Sequence, residues 1–136
     1  MHPIRKITTI SASLAAAGIL LVTAVPSAQA ATGQPSLRQG SSGLGVACIQ
    51  WEENKFFDDP RTAIAVDGDF GPATYNLTHS YQSAMQLQAD GIVGPRTGGA
   101  IASGIQVTLN TYPGANYQFW QGYWLSDCYG ALPTNW

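Results

Sequence analysis

Beyond its first thirty positions the chain has one histidine, His79, and this limits the chemistry it can carry. A hydrolytic zinc centre needs three or four His, Cys or carboxylate ligands converging on one point, usually with two histidines among them. One histidine does not supply that set. A thiolate nucleophile needs a cysteine of lowered pKa beside a histidine, and Cys48 with His79 is the pairing on offer, but Cys128 competes for Cys48 as a disulfide partner. Glycoside cleavage needs two carboxylates at a set separation, and Glu52 or Glu53 can be drawn against Asp67 or Asp69. Eight acids on a small surface produce such pairs by chance. Asp67 and Asp69 as calcium ligands lack further oxygen donors at loop spacing. The sequence therefore predicts no catalytic residue, no metal and no cofactor.

What remains is binding. Tyr75 and His79, four apart, share a helix face as exposed contacts, and Asp69 stands in a turn beside them. The C-terminal stretch is rich in aromatics: Tyr112, Tyr117, Phe119, Trp120, Tyr123, Trp124, Tyr129 and Trp136. Aromatic faces stack on sugar rings and also dominate protein interfaces. Covering a small core is the plainer role for the same rings. The ligand-binding candidates are Asp69, Tyr75, His79, Trp120 and Trp124.

These residues are positioned by a phrase that occurs twice. Asp67-Gly68-Asp69-Phe70-Gly71-Pro72-Ala73-Thr74 and Asp90-Gly91-Ile92-Val93-Gly94-Pro95-Arg96-Thr97 share the pattern D-G-x-x-G-P-x-T. Asp-Gly is a turn signal, since the Asp side chain bonds downstream backbone and Gly accepts positive φ. Gly-Pro starts a helix, because Pro at the first helical position loses no needed N–H. Each copy reads as turn, bridge, helix start, and two copies make a supersecondary repeat. Asp67, Gly68, Gly71, Pro72, Asp90, Gly91, Gly94 and Pro95 are thus structural.

A first helix is expected after Ser41 or Ser42 as N-cap, with Val46, Ile49, Glu53 and Phe56 or Phe57 on one face, Cys48 and Trp51 off it, and Pro60 breaking it. Glu53 is the misfit on that stripe. A second helix runs from Ala73 to about Met85, burying Leu77 and Tyr81. A third, weakened by Gly98 and Gly99, runs from Pro95 to about Ala102. Alternation of Ile105, Val107 and Leu109 with Gln106, Thr108 and Asn110 predicts a strand, with Pro113-Gly114 as a turn and residues 116–121 pairing back as a hairpin.

The N-terminus is expected to be an export signal. Arg5 and Lys6 precede an apolar run over 7–25, and Ala28-Gln29-Ala30 is a cleavage site after which the chain is cut. Thr8, Thr9, Ser11, Ser13 and Thr23 dilute the run, which disfavours a membrane anchor. The expected organisation is a signal over 1–30, a flexible lead-in over 31–36, a domain over 37–102 and an aromatic extension over 103–136. Residues 31–136 hold four basic side chains (Arg38, Lys55, Arg61, Arg96) against eight acidic ones, a net charge of −4. Four scattered cations form no polyanion patch, which argues against nucleic acid. In an exported chain Cys48 and Cys128 predict one disulfide fastening the extension to the first helix.

Leu37-Arg38-Gln39-Gly40, Val46 with Ile49-Gln50, the two repeated phrases with Val66 ahead of the first, Tyr81-Gln82 and Leu87 together resemble the peptidoglycan-binding domain-like family. The resemblance covers residues 37–101. It implies a mainly α, compact three-helix domain, here followed by a short C-terminal extended or β-hairpin segment. It also implies a secreted, extracellular or cell-wall-associated protein that binds peptidoglycan without catalysis, and no membrane contact after signal cleavage. The family usually has Leu where Glu53 stands, Val at Thr78 and a large residue at Gly98. These departures loosen the core, and the aromatic extension with its disulfide would compensate by capping it. Two other readings stand beside this one: an extracellular protein-interaction or inhibitor protein using Tyr117, Trp120, Tyr123 and Trp124, and a small cell-wall hydrolase, which the lone histidine opposes.

Overall fold

The computed structural model describes residues 34–114 and 116–135. The export signal expected over 1–30 lies outside them, as do the first residues of the lead-in and Trp136. The elements in chain order are α1 (Leu44–Phe57), α2 (Pro72–Ala84), α3 (Pro95–Thr111), β1 (Gln118–Trp120), β2 (Tyr123–Trp124), a single 3-10 turn (Leu125–Asp127) and α4 (Cys128–Ala131). The fold is mainly helical, with a small two-stranded hairpin near the C-terminus.

α1 is the central element, with α2, α3 and α4 all packed on it. Its residues Gly45 to Gln50 are buried without a break. The single stripe expected for this helix is therefore too narrow, and Cys48 is fully enclosed rather than off the core. The N-cap is Gly43, whose φ of 110° suits glycine, and no side chain caps the helix. Ser41, expected as a cap, instead accepts the Arg38 backbone N–H on its hydroxyl at 3.1 Å. The helix ends at a left-handed Asp58, ahead of Pro60, with the Asp58 N–H returned to Asn54 O at 3.0 Å.

α2 and α3 begin in the same way. Gly71 and Gly94 are both extended, at φ −92° with ψ −172° and −171°, and each precedes a Pro in the first helical turn. The repeat in sequence is thus a repeat in backbone.

Two expectations for the C-terminal third are corrected. Residues 105–110 are not a strand, because α3 runs on to Thr111 and through the expected 102/103 boundary. The inward residues Ile101, Ile105 and Thr108 follow helical spacing, whereas Val107 is 64 % exposed, so the period of two carried no burial. The α3 glycines cost helix propensity but make room: a Cβ on Gly98 would collide with the Pro133 carbonyl, and one on Gly104 with the Glu52 carboxylate. The hairpin, in turn, does not pair back across Pro113-Gly114. β1 pairs forward with β2 through Gln121 and Gly122, both at positive φ (40° and 89°), the conformation of a tight hairpin turn.

Cys48 and Cys128 form a disulfide that joins α1 to α4 across 80 residues. The core gathers Val46, Ile49, Tyr81, Ile101, Ile105 and Leu125 around this bridge, with Leu132 closing it. Among the described residues no helix is long and apolar enough to cross a membrane.

Candidate binding site at the repeated turns

The segment 37–43 is a strap that ties the two turns together. Leu37 exchanges both backbone hydrogen bonds with Val93 of the second turn (3.0 and 2.8 Å). Further along, Gly40 N–H donates to Phe70 O at 3.0 Å, Phe70 N–H to Ser41 O at 2.9 Å, and Gly43 N–H to Gly68 O at 2.8 Å, all at the first turn.

Each turn is latched from below by a buried glutamine of the preceding helix. Gln50 Nε2 reaches Asp67 Oδ1 (2.8 Å), Asp69 O (3.0 Å) and Thr74 Oγ1 (3.0 Å), while its Oε1 accepts the Asp67 and Gly68 N–H groups. Gln82 repeats this at the second turn. Its Nε2 reaches Asp90 Oδ1 (3.2 Å), Ile92 O (2.8 Å) and Thr97 Oγ1 (3.1 Å), and its Oε1 accepts Gly91 N–H (2.8 Å). Asp67 and Asp90 also accept the N–H two residues on, at 2.9 Å in both cases. Those bonds, first from Asp69 N–H and then from Gln50, hold the Asp67 carboxyl below its ordinary range. The Asp and Thr of the shared pattern are therefore partners of an interior amide.

An aromatic ring covers the glycine of each turn, and the two rings come from different places. Tyr75 of α2 lies on Gly91, and Trp120 of β1 lies on Gly68. Trp120 also stacks on Tyr123, with centroids 5.9 Å apart and planes at 20°.

Two shallow hollows flank the second turn and share Asp90 and Ile92. One, of about 220 Å³, is bounded by Arg38 and Gln39 of the strap and by Tyr75 and Gly91. The other, of about 300 Å³, lies against the start of α3, between Ser36, Leu87, Gln88 and Arg96. Asp90 is occupied at both oxygens, since Gln88 Nε2 donates to its Oδ2 at 3.1 Å in addition to the bonds on Oδ1. Arg38 and Arg96 are exposed and carry no ion pair among the described residues, whereas Arg61 is paired with Asp59 at 3.0 Å.

Of the residues singled out in the sequence, the structure brings Tyr75 to this groove, with His79 beside it at 6.4 Å between rings. Asp69 is exposed on the first turn, bridged to Ser42, and borders neither hollow. Trp120 is half-buried over Gly68, and Trp124 is 45 % exposed on the hairpin. Sequence reasoning passed over Arg38, Ile92 and Arg96. The signal for the last two was the difference between the copies, in which Asp69, Phe70 and Ala73 become Ile92, Val93 and Arg96 at otherwise matched positions.

Away from the groove, two adjacent acids of α1 are buried. Glu53 is fully enclosed, and neither of its carboxylate oxygens has a hydrogen-bond partner. Burial pushes it up to about 8; Thr78 tempers this from nearby, without completing a hydrogen bond, and the Glu52 charge adds to it. Burial likewise pushes Glu52 up to about 7, with Lys55 pulling the other way. Among the described residues, no three His, Cys, Asp or Glu side chains come together as a metal-holding group.

Residues 53–101, which contain both repeated phrases, match the family described as "Putative peptidoglycan binding domain". Over this segment, less than half of the chain, the sequence is similar to that family. The matched segment runs from Glu53 of α1, through α2, to Ile101 of α3. The chain is also similar to the Zinc D-Ala-D-Ala carboxypeptidase of Streptomyces albus G, at 39 % identity over 111 residues, covering 71 % of this chain and 42 % of the relative. The chain thus spans less than half the length of that relative. No solved structure matches it.

Proposed function

We propose that this chain is a secreted, non-catalytic module that binds bacterial cell-wall peptidoglycan through the groove at the second turn. The observation that carries this reading is the coincidence of the family match with the open groove: the turn that forms it, Asp90 to Thr97, lies wholly within the matched segment. Tyr75 borders it, with His79 beside that ring. Residues 103–136 act as an extension of the same unit, held by the shared α3 and the disulfide. Binding at one such shallow site is weak, and a polymer of repeating units compensates through avidity.

The test is sedimentation of the full-length protein with purified insoluble peptidoglycan. Co-sedimentation that free soluble wall fragments compete away is expected; a protein that stays in the supernatant sinks the reading. Exposed Tyr117, Tyr123 and Trp124 on the hairpin favour the second reading, a protein partner at that surface. Trp124→Ala separates the two: wall retention is expected to persist, and its loss would move the site to the hairpin.

A further inference from the structure

The two hollows differ from the rest of the surface in their charge. Residues 31–136 contain four cations in an acidic chain. Arg61 is spent on Asp59, and Lys55 sits at the end of α1, where it acts on Glu52. The other two, Arg38 and Arg96, border the two hollows on either side of the Asp90–Ile92 ridge. Asp90 between them takes its hydrogen bonds from Gln82, Gln88 and the Ile92 N–H and is ion-paired with neither guanidinium among the described residues, so the two hollows together hold two cations against one anion. Each guanidinium therefore presents a planar set of donors with no acceptor among the described residues, a geometry that matches a carboxylate in bidentate fashion. The hollow beside Arg96 also opens on the first turn of α3, where Gly94 provides no side-chain cap, so the end of the helix adds positive potential to that of the guanidinium.

We propose that this groove binds the peptide part of the wall polymer through a free carboxylate, with Arg38 and Arg96 as the anion-holding side chains and Ile92 as the apolar ridge between them. The proposal rests on the wall-binding reading above and specifies which component of the polymer is read. The glycan strand is built of neutral N-acetylated sugars, and the peptides attached to it carry the carboxylates. Sugar recognition would call for an open aromatic face in the groove. Tyr75, the one ring lining the hollows, is laid on Gly91 instead.

The experiment compares full-length protein on intact insoluble peptidoglycan and on the same material with its free peptide carboxylates capped as amides by carbodiimide and ammonia, which leaves the polymer cross-linked and insoluble, with Arg38→Gln, Arg96→Gln and the control Arg61→Gln. All three arginines are exposed, so the variants are expected to unfold at the wild-type temperature, which is checked first. Supporting results are loss of retention on capped walls, roughly tenfold weaker binding to intact walls for R38Q and for R96Q, and wild-type binding for R61Q. A short D-alanyl peptide with a free C-terminal carboxylate should compete, and its C-terminal amide should not. Equal retention on capped walls overturns the proposal and leaves wall binding standing. Loss on capped walls with R38Q and R96Q behaving like R61Q also overturns it, by placing the carboxylate elsewhere. Failure of wild type to sediment with intact walls overturns both readings.

Discussion

Gln82 Nε2 lies 3.1 Å from Thr97 Oγ1 in the interior, and the same amide reaches the backbone of the second turn. With Gln82 fully buried, Gln82→Ala strands the Gly91 N–H and the Thr97 hydroxyl, leaves the Ile92 carbonyl only its bond from the Gly94 N–H, and opens a void. A loss of about 2–4 kcal/mol is expected in urea unfolding. Gln88→Ala, on the exposed side of the same turn, should stay within about 0.5 kcal/mol of wild type. Equal effects from the two substitutions would contradict the latch.

Reducing the Cys48–Cys128 bridge, or replacing both cysteines by Ala, frees a loop that spans most of the domain. Chain entropy sets the expected loss at about 4–5 kcal/mol, with the enclosed position of both cysteines adding a packing defect in the Ala variant. Thermal unfolding of oxidised and reduced samples checks this. A common midpoint would show that the bridge does not constrain the unfolded chain.

The helical scaffold was legible because its signals are local: Asp-Gly and Gly-Pro fix backbone geometry within a few residues, and both copies deliver it. The course of residues 103–124 was not. Ile105, Val107 and Leu109 alternate by accident, and the α3 glycines weaken the helix signal for a reason visible only in three dimensions, the approach of Pro133 and Glu52. The groove was half legible. Tyr75 follows from helix spacing, whereas Arg38 becomes part of the site only because the strap pairs Leu37 with Val93, some 56 residues away in sequence. Trp120 and Tyr75 playing one role at two turns, from unrelated positions in the chain, has no sequence signature.

Gly98 and Gly71 give a paired test of the packing argument. Both lie at negative φ, so Ala is conformationally acceptable at either. A methyl at Gly71 meets open space, while one at Gly98 meets the Pro133 backbone, which cannot rotate away as a side chain would. Gly98→Ala is expected to cost about 1–3 kcal/mol and to loosen the C-terminal segment, seen as faster amide exchange around Leu132. Gly71→Ala should be close to neutral. The reverse order would contradict the contact between α3 and the C-terminus.

Glu53 and Glu52 make stability depend on pH in a direction opposite to that of most acidic groups. Both carboxyls are held above their ordinary values in the folded protein, at about 8 and about 7. The folded state therefore keeps protons that the unfolded chain releases from about pH 4.5 upward, and stability falls as pH rises through the window up to about 8, then levels off. Asp67 works the other way: its carboxyl is lowered, so its contribution is present above the unfolded value and is lost as pH drops. The stability maximum is accordingly expected near pH 4–5. Glu53→Leu removes the buried charge and its unmatched oxygens at similar volume, and should gain roughly 2–5 kcal/mol at pH 9 and much less at pH 4. Glu53→Gln removes the titration but leaves an amide without partners, so it should flatten the profile with a smaller gain. Urea unfolding of the three proteins from pH 4 to pH 9 decides the matter, and parallel profiles for wild type and E53L would rule out Glu53 as the source of the dependence.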